Sequence, residues 1–98
     1  DERYTEEYIR YRQNSGYGLE KIIYELKSNG ISSGLIDKNL YKFIDDYDVL
    51  LDFAKFKIRN KNLEDQKVLF RYINNFRARG FEGDTILKVI ENIKRYEK

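Results

Sequence analysis

The sequence predicts an all-α protein built from two tandem three-helix repeats, about six helices in an elongated, curved stack. Three observations carry that prediction. The 98 residues contain no proline and only six glycines, so helices run until a glycine stops them. Apolar residues recur with the 3.6-residue helical period. A fifty-residue offset then lays the second half of the pattern on the first, which divides the chain into repeats at 1–46 and 47–98.

The first predicted helix, Arg3 to Gln13, carries Tyr4, Tyr8 and Tyr11 at i, i+4 and i+7, with Ile9 at the edge of the stripe. Two readings of the stripe stand: the favoured one packs it on its own repeat, the other offers it to a partner. Gly16 and Gly18 mark a turn. Leu19, Ile22, Ile23 and Leu26 then form one face of a second helix, which ends at Asn29-Gly30 with Gly30 in the left-handed cap position. Ser32 or Ser33 caps a third helix carrying Ile36, Leu40 and Phe43.

The fourth helix, about Tyr47 to Asn60, has two apolar sides, Leu50, Ala54 and Ile58 on one and Val49, Phe53 and Phe56 on the other. A helix wedged between repeats needs both. On the fifth, Asp65 to Arg79, Tyr72, Ile73 and Phe76 repeat Ile22, Ile23 and Leu26, and Gly80-Phe81 repeats Gly30-Ile31. Asp84 caps a sixth helix running to Lys98, where Ile86, Ile90 and Ile93 repeat Ile36, Leu40 and Phe43.

Charge divides the same way. The net charge is +2, but residues 1–49 carry seven basic and ten acidic side chains, whereas residues 50–98 carry twelve and seven. Between Phe53 and Phe81, eight bases (Lys55, Lys57, Arg59, Lys61, Lys67, Arg71, Arg77 and Arg79) face only Glu64 and Asp65. Such a segment suits either a polyanionic or acidic partner or simple solvation of a helix face. On the fifth helix Lys67, Arg71, Asn74 and Arg77 point away from Val68, Tyr72, Ile73 and Phe76. That makes Lys67, Arg71 and Arg77 the leading partner-contact candidates, joined by Arg59 and Arg79. Arg10, Arg12 and Lys27 are lesser ones in the first repeat. For Arg12, pairing with Asp1 or with an acid of its own repeat is an equal alternative.

Composition excludes much chemistry. The chain has no Cys and no His, so it has neither thiolate nor imidazole for catalysis or metal binding, and no glycine-rich phosphate loop is present. Asp45-Asp46 and Glu64-Asp65 stand at helix starts, where carboxylates favour the helix dipole. No enzyme, cofactor or small-molecule substrate is expected. No apolar run approaches the ~20 residues of a membrane span. The sequence opens on Asp1-Glu2-Arg3 without an initiator Met and is expected to be a piece of a longer protein.

Asp1-Glu2-Arg3-Tyr4, Tyr8-Ile9-Arg10-Tyr11-Arg12, Gly16-Tyr17-Gly18 and the run from Ile22 to Ile31 together resemble the second repeat of the RecX family of recombination regulators. Tyr72-Ile73 and Arg77-Ala78-Arg79-Gly80-Phe81, with Ile86 and Ile90 beyond, are similar to its third repeat. Asn29 stands where that family usually has a basic residue, and Ala78 separates the arginines before Gly80. The resemblance implies a cytoplasmic, non-enzymatic protein that lies in the groove of RecA filaments on single-stranded DNA. There it would alter their growth, ATP hydrolysis and strand exchange, with weak direct DNA contact. The alternative is a helix-turn-helix-like module that binds nucleic acid by itself.

Overall fold

The computed structural model describes residues 2–96. Asp1, Glu97 and Lys98, which the expected opening motif and last helix include, lie outside the described residues. All regular structure among the described residues is helical: α1 (Glu2–Asn14), α2 (Leu19–Ser28), α3 (Ser33–Lys38), a 3₁₀ turn at Leu40–Lys42, α4 (Asp46–Lys57), α5 (Gln66–Ala78) and α6 (Gly83–Tyr96). The molecule is elongated, 45 × 21 × 18 Å along its principal axes.

The glycines stop the helices by one repeated device. Gly16, Gly30 and Gly80 all have positive φ, at +86°, +86° and +99°. At the end of α2, Ile31 N donates to Leu26 O and Gly30 N to Lys27 O, the paired reverse bonds of a left-handed helix cap. Tyr17 and Gly16 make the same bonds to Arg12 and Gln13 after α1, and Phe81 and Gly80 to Phe76 and Arg77 after α5. Helix starts are set by side chains. Ser32 Oγ accepts from Leu35 N, Asp45 Oδ1 from Tyr47 N and Asp65 Oδ1 from Lys67 N. Asp84 does not cap α6: the helix begins at Gly83 and places Asp84 in its first turn.

The third helix is shorter than its apolar spacing predicts. Asn39 is buried, and its side-chain amide donates to Leu35 O at 2.8 Å, occupying the carbonyl that would accept the next helical N–H. The backbone tightens, with Asn39 N bonding to Ile36 O, and the chain leaves as the 3₁₀ turn. Ile36 therefore stays buried while Leu40 becomes exposed.

Apolar side chains gather in two clusters with no common member. Ile9, Ile22, Leu26 and Ile36 form one, drawn from α1–α3. Val49, Leu50, Ala54, Ile58, Leu63, Phe76, Phe81 and four residues of α6 form the other, larger one. The expected tyrosine stripe does not fill the first cluster. α1 turns Thr5, Ile9 and Gln13 inward, leaving Tyr8 half-buried and Tyr4 and Tyr11 exposed, the latter at 65%. Three short helices offer too small a cavity for three phenol rings. Gln13 instead closes the unit, donating to Ile44 O and accepting from Ile44 N. α4 also departs from its two-sided pattern. Val49 joins Leu50, Ala54 and Ile58 in the core, Phe53 is half-buried, and Phe56 is 76% exposed.

Asp46 ties the start of α4 to the start of α2, its Oδ1 accepting from Leu19 N at 3.0 Å. Burial raises its pKa from the ordinary 3.8; the Leu19 bond opposes that rise, and Asp45, Glu82 and Glu20 add to it. Folded Asp46 thus holds its proton more tightly than the unfolded chain does. Stability falls as pH rises from 3.8 through the raised value, and the ionised carboxylate retains a cost at neutral pH. Asp46→Asn keeps an acceptor for Leu19 without the charge. We expect its thermal midpoint at pH 7 to equal or exceed that of the unsubstituted protein, with the advantage vanishing in acid. A lower midpoint at pH 7 would contradict the assigned cost.

Candidate functional site

The outward side of α5 forms a basic strip. Asp65 fixes the first turn, and Phe76 anchors the inner side with no exposed area, flanked by half-buried Val68, Leu69, Tyr72 and Ile73. That anchoring leaves Lys67, Arg71, Asn74 and Arg77 in solvent. Among the described residues no carboxylate lies within ion-pair distance of Lys67, Arg71 or Arg77. Phe70, 59% exposed, stands beside Arg71 in the sequence.

A second basic group surrounds the α4–α5 connection. Asn60, with φ +64°, reverses the chain there. An open hollow of about 760 Å³ is lined by Lys55, Phe56, Arg59, Lys61, Leu63 and Lys94, with Asp52 and Glu64 on its wall. The Arg59 guanidinium lies 5.7 Å from the Phe56 ring centroid, and Lys94 pairs with Glu64 at 3.3 Å. Exposed aromatic area among cations is unlike a solvated helix face and suits a planar or anionic partner. Phe56 was not legible as a surface residue, because its spacing alone assigned it to an inter-repeat face. Its flanks, Lys55 and Lys57, are the signal that opposes burial.

The remaining candidates separate from these two groups. Arg12 is held internally: its Nε and Nη2 donate to the two Glu25 carboxylate oxygens at 2.9 and 2.7 Å, and Tyr8 Oη donates to the same carboxylate at 2.9 Å. Burial pushes the Glu25 pKa up, but the bonds from Arg12 and Tyr8 outweigh it and leave it below its ordinary value. The local-pairing alternative for Arg12 is therefore the one realised, with Glu25 as the partner. Arg79 is half-buried against Tyr17 and Phe53 and donates to Ser15 O and Gly16 O. Arg10 is exposed, with Glu6 at 3.9 Å one turn away, and Lys27 is exposed at the end of α2. Lys42 pairs with Glu6, and this hydrogen bond holds the Glu6 carboxyl below its usual range. Among the described residues no group of three or more Asp or Glu is placed to hold a metal ion, and no helix is long and apolar enough to cross a membrane.

Residues 1–40 match the family described as RecX, second three-helix domain. The Regulatory protein RecX of Legionella pneumophila (strain Corby) is 35% identical over 104 aligned residues, covering 96% of this chain and 63% of that protein. The Regulatory protein RecX of Pseudomonas entomophila is 29% identical over 96, covering 97% and 62%. That of Pseudomonas putida (strain W619) is 47% identical over 38 residues, or 39% of this chain and 24% of its own. The chain thus spans somewhat under two thirds of the length of its first two relatives. No solved structure matches it. The helical caps at Gly16 and Gly30 and the Arg12–Glu25 pair lie within the segment matched to the second three-helix domain of RecX, and the relatives extend the similarity across nearly the whole chain.

Proposed function

We propose that this chain is the filament-binding part of a cytoplasmic recombination regulator, with residues 1–46 and 47–98 as its two repeats. It docks on RecA-type recombinase filaments assembled on single-stranded DNA and modulates their ATPase and strand-exchange activity by binding, without catalysis of its own. The observation that carries the reading is the unpaired basic strip Lys67–Arg71–Arg77, on the half of the chain that holds the positive charge. A filament on DNA is an extended polyanion-containing surface, and cations at a contact rim speed encounter and fix register. Arg59 extends the contact at the α4–α5 connection, and Arg10 and Lys27 are contacts of lower rank. Arg12 and Arg79, both engaged inside the chain, leave the contact set.

Co-sedimentation with RecA filaments tests this. Each charge reversal turns an attraction into a repulsion, so Arg71→Glu with Arg77→Glu should weaken association at least roughly tenfold. Unchanged sedimentation of the double variant would remove the strip from the interface. Failure of the unsubstituted protein to sediment, even within its full-length context, would remove the reading itself.

One observation favours a second reading, direct binding of nucleic acid. Phe56 is largely bare, lies beside Arg59 and lines one hollow with Lys55 and Lys61, an arrangement on which a base can stack while cations meet phosphates. Titrating affinity for naked DNA against salt separates the two. Tight, steeply salt-dependent binding without recombinase supports direct binding, whereas binding only to assembled filaments supports the regulator.

A further inference from the structure

Arg79 closes α5, and both its carbonyl and its guanidinium reach across the molecule. Its carbonyl accepts from Gly18 N at 2.8 Å. Its guanidinium Nη1 donates to Ser15 O at 3.1 Å and lies 3.4 Å from Gly16 O. The guanidinium carbon is 4.4 Å from the Tyr17 ring centroid and 4.2 Å from that of Phe53. Arg12, fixed by Glu25, meets the same Tyr17 ring at 3.7 Å. At Gly18 the two units come together backbone to backbone: a Cβ there would lie 2.5 Å from Gly80 O.

The two apolar cores share no residue, so no common hydrophobic centre locks the units at one angle. Units joined by small, polar contacts move relative to one another by default. Here the joint consists of a cation between two rings, bonds to three backbone groups, the Asp46–Leu19 strut and the Phe53 ring beside Gly16. We propose that Arg79 is the positioning residue of an inter-unit joint. It pins the end of α5 into the α1–α2 turn and so fixes the angle between the acidic and basic halves. Arginine suits the task because a flat fork can stack on rings while its edge donates to carbonyls. A lysine ammonium cannot do both in one geometry.

The absence of native cysteine makes the joint directly measurable. Lys38 and Lys88, exposed on α3 and α6, would be changed to Cys in the otherwise unaltered chain, and spin-labelled. Electron–electron distance measurements then read the angle with no partner present, so the outcome is independent of any binding activity. We expect one narrow distribution for the parent and a distribution at least roughly twofold wider for Arg79→Ala and for Arg79→Lys, both with parental helical circular dichroism. A parental width in either folded variant overturns the proposal. If Arg79→Ala loses its helical signal, Arg79→Lys alone decides.

Discussion

Phe76→Ala should cost about 3–5 kcal/mol of stability and unfold the second core ahead of the first. Phe76 has no exposed area and meets Phe53 edge to face, with centroids 6.3 Å apart, and Tyr72 at 6.1 Å. Its removal takes away both the transfer energy of a buried ring and two aromatic contacts, and the helices around it cannot collapse far into the gap. A domain of this size has only a few kcal/mol in reserve. Because the first cluster contains no member of the second, the loss should be local at first. Amide hydrogen exchange checks this: protection in α4–α6 should fall by about two to three orders of magnitude, at roughly 1.4 kcal/mol per tenfold. Amides around Ile22 and Leu26 should lose much less. An equal loss in both units would show a single cooperative core.

Helix number and order were legible because glycine is the strongest punctuation this chain has. With no proline to break the pattern, Gly16, Gly30 and Gly80 mark where three helices stop, and all three take the left-handed conformation that glycine tolerates. The caps Ser32, Asp45 and Asp65 follow from residue type and position. Periodicity failed where a polar residue outcompeted it. Asn39 ends α3 by taking the Leu35 carbonyl, and Thr5 and Gln13 fill inward positions that a stripe of tyrosines had claimed. A period says which residues share a face, but not whether that face has a cavity large enough to receive them.

The candidate site was legible in part for the same reason. Opposite faces of one helix follow from spacing, which is why Lys67, Arg71 and Arg77 were placed in solvent correctly. Arg12 and Arg79 look the same in sequence as the exposed bases. What distinguishes them is the tertiary neighbourhood: Glu25 lies thirteen residues from Arg12, and Ser15 sixty-four from Arg79. Gly16 and Gly18 signal only a turn in the sequence, and nothing in that signal points to the guanidinium seated on Tyr17. The basic hollow at Phe56 depends on Lys94 from α6, which no local pattern connects to α4.

Gly16 and Gly30 form a matched pair for the second large effect. Both cap a helix at φ +86°, so alanine at either one incurs the same left-handed strain, about 1–2 kcal/mol. Their surroundings differ. A Cβ at Gly30 would meet nothing within 4 Å, whereas one at Gly16 would lie 2.4 Å from Phe53 Cδ1. Phe53 cannot swing away freely, since its ring packs on Phe76 and carries the Arg79 guanidinium. Gly16→Ala therefore adds an overpacking cost of about 1–3 kcal/mol and should destabilise by about 2–5 kcal/mol in all. Chemical denaturation of both variants provides the comparison, with Gly30→Ala supplying the backbone strain alone. Their difference measures how tightly α4 is seated against the α1–α2 turn. Equal losses would mean that Phe53 yields and that the contact at Gly16 contributes little to holding the halves together.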